Sequence, residues 1–198
     1  MKTDAKRMLW TVQDMGTITE DLRAADEATR RQRAERAAFL LQEFGPPAGM
    51  VLTGGLNAAL AISELRSSFL TGNFMATILL CQLFVESSLG GSFAFSGDEE
   101  AMLRGFKPLI DRSVAEGRIS KALGERLQDF REGVRNPYGH PRPYLNPRKG
   151  LLDRVVDRRL PLGKLAEADP REAIQLVVDF LREGCPSWEP NRPSPVVS

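Results

Sequence analysis

Phe74-Met75-Ala76-Thr77-Ile78-Leu79-Leu80-Cys81-Gln82-Leu83-Phe84-Val85-Glu86-Ser87-Ser88-Leu89 is hydrophobic on nearly every side when wound as a helix. Such a segment is buried all round, so this stretch predicts the central helix of an all-α bundle. Asn73 suits its N-cap, and Gly90-Gly91-Ser92 reads as the loop that ends it. Glu86 interrupts the run near its end. A carboxylate there is costly unless solvated or paired, so it sits in solvent at the helix end or pairs with a nearby cation.

Working outward, Thr71-Gly72-Asn73 separates the central helix from one expected over 56–70, with Ile62, Leu65 and Phe69 buried. Upstream, Thr17-Ile18-Thr19-Glu20 has the form of a capping box for a long charged helix that Gly45-Pro46-Pro47 stops. Ala34, Ala37, Ala38, Leu41 and Phe44 recur at helical spacing, which predicts packing for its second half. The basic run 30–36 reads as a solvated face. Downstream, Asp98-Glu99-Glu100 opens a helical stretch that Pro108 makes irregular.

Ser120 caps a further helix whose Leu123, Leu127, Phe130 and Val134 form one apolar stripe, with Arg131 and Arg135 one turn apart beside it. Pro137 is expected to disturb that helix and to bias Asn136 away from helical geometry, and Gly139 permits a sharp turn. His140 then stands just beyond the helix end. A short helix follows over 151–159. The last helix reads as starting at Asp169, with Asp169 as N-cap, Pro170 in the first turn and Glu172 completing the box. The resulting organisation is an N-terminal helical extension (1–55), a helical bundle (56–184) and a Pro-rich tail (185–198).

With 198 residues, 42% of them hydrophobic and 27% charged, the chain can bury a core without staples, and a net charge of +1 makes any nucleic-acid surface a local one. Cys81 and Cys185 form neither a CxxC nor a Cys/His cluster. The N-terminus lacks a secretory pattern, and the nearly apolar run 74–85 is too short to span a bilayer, so the expectation is a cytoplasmic protein without a membrane anchor. There is no GxSxG elbow, no GxxxxGK[ST] loop, no GxGxxG after a strand and no HExxH. No cofactor or metal is expected.

His140 is the one histidine, and Arg135 precedes it by five residues. From Arg131 to Arg159, eight Lys and Arg stand against Glu132, Asp153 and Asp157, a local charge of +5 that favours phosphate. RNA supplies its own nucleophile, the 2′-hydroxyl, so an imidazole to move a proton and a guanidinium to hold phosphoryl charge can suffice. Asn136 can orient either the imidazole or the phosphate.

Arg135-Asn136-x-x-x-His140 resembles the R-x4-6-H signature of the HEPN superfamily, in which a polar residue often follows the arginine. The resemblance runs over 56–183 and includes a first helix, the 71–73 turn, the apolar helix ending in Phe84-Val85-Glu86-Ser87-Ser88-Leu89, the helix entering Arg135-Asn136, and the closing helix. It implies a HEPN-type bundle that dimerises so that two motifs share one cleft. It also implies a metal-independent endoribonuclease of toxin–antitoxin, abortive-infection or other antiviral systems, with an antitoxin or defence-system partner. On that resemblance Arg135 and His140 are catalytic and Asn136 joins them in the active site; from the residues themselves, Glu86, Tyr138 and Arg131 are candidate supporting residues, and Arg142, Arg148 and Lys149 of the basic segment are candidate RNA-binding residues. Two further outcomes fit the fold: a non-catalytic interaction or sensor module, and an antitoxin that binds nucleic acid through the basic segment. Where some HEPN toxins carry a tyrosine two residues after the histidine, this chain has Arg142, and Tyr144 comes four after.

Overall fold

A computed structural model describes residues 12–45, 54–140 and 150–184, with side chains from residue 16. Among them there is no strand. The elements in order are α1 (Val12–Phe44), α2 (Gly55–Thr71), α3 (Phe74–Phe95), a 3₁₀ turn (Glu99–Leu103), α4 (Phe106–Ala115), α5 (Lys121–Asp129), a π-helical segment (Phe130–Arg135), α6 (Asn136–Gly139), α7 (Leu151–Arg158) and α8 (Leu162–Gly184). The fold is all-α, as the apolar periodicities predict.

α3 is the axis of the bundle. It packs against α2, the 3₁₀ turn, α4, the π segment, α6 and α8, and Ile78, Phe84, Val85, Leu89 and Phe93 are buried in it. It does not end at Leu89. Gly90 and Gly91 are helical and buried, because the 3₁₀ turn crosses there: a Cβ on Gly90 would stand 3.3 Å from Met102 Cα. Close packing, not chain reversal, is what Gly90 serves. The extended helix is long and apolar enough to cross a membrane, contrary to the expectation from 74–85, and 56% of its most apolar window is buried against neighbouring helices. Asn73 precedes it without a side-chain cap bond; its carbonyl instead accepts from Thr77 Oγ1 at 3.0 Å.

α1 starts ahead of the expected capping box, so Thr17 lies inside the helix. Its inward row is Arg36, Phe39, Leu40 and Phe44, while Ala34, Ala37, Ala38 and Leu41 are exposed. Aromatic and cationic contacts choose this face over the alanines. Phe39 meets Phe69 at 5.4 Å between ring centroids, Arg171 lies over Phe39 at 4.6 Å, and Arg36 lies over Phe74 at 4.8 Å. Arg36 Nε also approaches Glu167 of α8 to 3.5 Å. Gly72 lies under this contact: its φ of +84° favours glycine, and a Cβ there would stand 2.9 Å from Arg36 Nη1, so a larger residue would move the guanidinium. Ahead of Arg36, residues 16–35 are exposed except Ile18 and Arg33, which are half-buried, and the pairs Arg30–Glu27, Arg31–Glu35 and Arg33–Asp26 run along the helix.

The stretch after α3 resolves the irregularity expected around Pro108. The 3₁₀ turn comes first, and Pro108 falls in the first turn of α4, where a missing N–H leaves no carbonyl unpaired. Asp98 caps the 3₁₀ turn through Ala101 N at 3.2 Å and also accepts from Arg112, whose Nε reaches Glu116 at 2.6 Å. The Arg112 hydrogen bonds hold the Asp98 and Glu116 carboxyls below the usual carboxylate range. Because the folded pKa values lie below the unfolded ones, protonation favours the unfolded chain. The contribution is intact above about pH 5 and is lost as pH falls through the folded values. Asp98→Asn therefore flattens the acid limb of a plot of melting temperature against pH, read between about pH 6 and about pH 2. An acid limb as steep as that of the parent chain would contradict it.

Ser120 caps α5, accepting from Leu123 N at 3.1 Å, and donates to Glu183 of α8 at 3.0 Å. Leu123, Leu127 and Phe130 are buried as the stripe predicts, and Val134 packs at the edge of the core. The closing helix starts at Leu162, not at Asp169. Pro170 lies inside it, and Asp169 has no exposed surface. Asp169 is not a cap because Arg154 holds it in a buried ion pair, which lets the helix run through.

Candidate active site

The motif sits where the α5 helix changes geometry. Asn136 is helical, with φ −63° and ψ −39°, so Pro137 neither breaks the helix nor pushes Asn136 into an extended conformation. The strain is absorbed upstream. From Phe130 to Arg135 the helix widens to π form, with Asn136 N donating to Arg131 O, and it returns to α form over Asn136–Gly139. Gly139 belongs to this last turn, makes no sharp bend, and would accept a Cβ with ordinary contacts of 3.6 Å. The chain leaves the helix at His140, which is extended (φ −137°, ψ 124°) and whose N–H donates to Asn136 O at 3.0 Å. His140 does stand just past the helix end.

Pro137 has a second effect. It cannot bring an N–H to the Gly133 carbonyl, its partner in α-helical geometry. Arg154 of α7 does so instead, through Nη1 at 2.6 Å. The rest of that guanidinium grips Asp169 bidentately, Nε at 3.0 Å and Nη2 at 2.5 Å. Tyr138 lies against the same carboxylate. Its hydroxyl is buried, and burial, followed by the Asp169 carboxylate beside it, pushes its pKa up.

Three of the predicted residues converge. Arg135 Nη1 is 3.0 Å from Asn136 Oδ1 and 2.9 Å from His140 Nε2. A guanidinium has only donors, so in this contact Nε2 presents its lone pair and the neutral ring carries its proton on Nδ1. Arg135 Nε is buried without a partner among the described residues. His140 is exposed, and Arg135 and Asn136 are half-buried, so an imidazole lone pair and a fixed cation meet at one point on the surface. That arrangement can take a proton and hold an anion at adjoining atoms.

The other predicted residues lie elsewhere. Tyr138 faces Asp169 rather than the guanidinium. Arg131 is bound by Gln128 Oε1 at 3.2 Å and Glu132 at 2.6 Å. Glu86 is neither at a helix end nor paired with a cation among the described residues; it is half-buried within α3 and accepts from Gln82 Nε2 at 2.9 Å. Arg142, Arg148 and Lys149 lie outside the described residues. Within the basic surplus, Arg154 is committed to Asp169 and Arg158 to Glu172, whose hydrogen bond raises the Arg158 pKa.

A cleft of about 400 Å³ opens between the π segment, α7 and α8, with Phe130, Val134, Arg154, Arg158 and Leu176 in its walls; Arg135, Asn136 and His140 do not line it. No group of three His, Cys, Asp or Glu among the described residues is arranged to hold a metal ion. The one described cysteine, Cys81, is buried, which pushes its thiol pKa up.

No family model, curated protein or solved structure matches the chain. The reading of the site therefore rests on its own geometry. Sequence reasoning missed the Arg154–Asp169 pair beneath the motif. Its one signal was Pro137, four residues after Gly133, which announces a carbonyl in need of another donor.

Proposed function

We propose that the protein is a metal-independent endoribonuclease of HEPN type, with Arg135, Asn136 and His140 as its catalytic residues. The observation that carries the proposal is the single guanidinium nitrogen within 2.9 Å of the imidazole Nε2 and 3.0 Å of the Asn136 side-chain Oδ1. His140 Nε2 takes the proton of the 2′-hydroxyl, whose oxygen attacks the adjacent phosphorus. The bond from phosphorus to the 5′-oxygen breaks, and the products are a 2′,3′-cyclic phosphate and a 5′-hydroxyl. Arg135 turns from the imidazole to the phosphoryl oxygens as charge builds there, and Asn136 keeps the guanidinium in reach.

One imidazole serves as base, and a proton must still reach the departing 5′-oxygen. We assign that proton to His140 of a second copy, so the working unit of the proposal is a homodimer with two motifs facing one RNA strand. The setting we propose is the cytoplasm, in a toxin–antitoxin or antiviral system where cleavage arrests growth and a partner protein restrains it.

The test is incubation of the purified chain with structured and single-stranded RNAs in EDTA, with end-group analysis of the products and light scattering on the same preparation. Cleavage that persists in EDTA and leaves 2′,3′-cyclic phosphate is the expected result, with a dimer mass. Cleavage that EDTA abolishes, or 3′-hydroxyl ends, would sink the mechanism, and a strictly monomeric active species would sink the shared cleft.

A further inference from the structure

We infer that Arg154 is a positioning residue: it sets the geometry of the Arg135–His140 pair from below, through the Gly133 carbonyl. The inference deepens the ribonuclease reading and rests on it for the kinetic consequence only. Four observations carry it. The Gly133 carbonyl is deprived of its α-helical donor by Pro137, and Arg154 Nη1 replaces that donor at 2.6 Å. The same guanidinium is fixed by two bonds to Asp169, which has no exposed surface. Tyr138, in the turn that joins Arg135 to His140, sets its half-buried ring and buried hydroxyl against this carboxylate. The segment so held is the π turn that ends at Arg135, and the widened turn decides where Arg135 leaves the helix relative to His140.

Arg154 touches neither Arg135 nor His140, so its effect passes through backbone. An arginine fork is what the position requires, because two carboxylate oxygens and one carbonyl are met in different directions by one rigid plane. A lysine meets one or two of the three. α7 and α8 thereby become part of the site without lining it.

The single histidine makes the inference measurable without any substrate. In the parent chain the neutral His140 ring holds its proton on Nδ1, since Nε2 accepts from Arg135; nitrogen-15 spectra of the imidazole read this tautomer directly. Two variants approach the linkage from opposite ends. Arg154→Lys keeps a cation beside Asp169 and loosens Gly133. Pro137→Ala leaves the Arg154–Asp169 pair intact and returns an N–H to the Gly133 carbonyl, drawing the π turn toward α form.

In both variants the expected result is a shift of the His140 ring toward the Nε2–H tautomer that free imidazole favours. For the RNA-cleaving chain, kcat falls on the order of 10- to 100-fold while KM changes little. A folded Pro137→Ala chain with the parent's imidazole spectrum overturns the inference, as does parent-like kcat in a folded Arg154→Lys chain. Should the parent chain leave RNA intact, the ribonuclease reading fails alone; the coupling then stands or falls on the His140 spectra.

Discussion

His140→Ala lowers the rate of EDTA-resistant RNA cleavage by about 100- to 10,000-fold, the range that a positioned general acid–base contributes. The change leaves folding intact, because the imidazole is exposed and its one hydrogen bond among the described residues is to the Arg135 guanidinium. Circular dichroism and melting of the variant therefore match the parent while cleavage is lost. Arg135→Lys sharpens the reading: it keeps the positive charge but cannot reach Asn136 Oδ1, His140 and a phosphate with one planar fork. If lysine sustains the parent's rate, Arg135 acts as a diffuse charge and the proposed geometry is wrong. If His140→Ala cleaves RNA as the parent does, the motif is not the active site.

Asp169→Ala lowers stability by about 3–5 kcal/mol, the cost of stranding one member of a buried ion pair. Arg154 is then left with a single acceptor, the Gly133 carbonyl, and its side chain is only 13% exposed. At this chain length the loss corresponds to a fall of about 10 °C in melting temperature. The informative comparison is the double change Arg154→Met/Asp169→Leu, which removes both charges together and recovers part of the loss, the remainder being the Gly133 carbonyl left without its donor. An Asp169→Ala chain that melts within about 2 °C of the parent would show that water reaches the pair and solvates the orphaned guanidinium.

The helices were legible wherever a single apolar period ran without competition. Leu123, Leu127 and Phe130 occupy the core as their spacing requires, and Ser120 caps where a serine before an apolar run should. Misreadings fall where a residue with a strong local preference answers to a distant partner. Gly90-Gly91 resembles a stop, yet both are helical and Gly90 makes room for Met102. Asp169-Pro170 resembles a helix start, yet Asp169 answers to Arg154 fifteen residues away. Arg36 looked like one more charge on a solvated run and is instead 6% exposed over an aromatic ring. Within the motif, residue spacing foretold that Arg135 and His140 lie near one another. It held no record of the π turn that brings them to 2.9 Å, because that turn depends on a donor from α7.

The exposed part of α1 has a consequence for how the molecule moves through solution. Residues 16–35 run ahead of the Arg36 anchor, and at 1.5 Å per residue they form a rod of about 30 Å, comparable to the diameter of a small domain. Intrahelical pairs such as Arg31–Glu35 brace it against fraying. A body with such an outrigger has more friction than a sphere of equal mass, so it elutes early from a sizing column and its tumbling is anisotropic. A single chain can thus imitate the hydrodynamic radius of a compact pair, which makes scattered-light intensity, a measure of mass rather than drag, the proper judge of how many copies assemble.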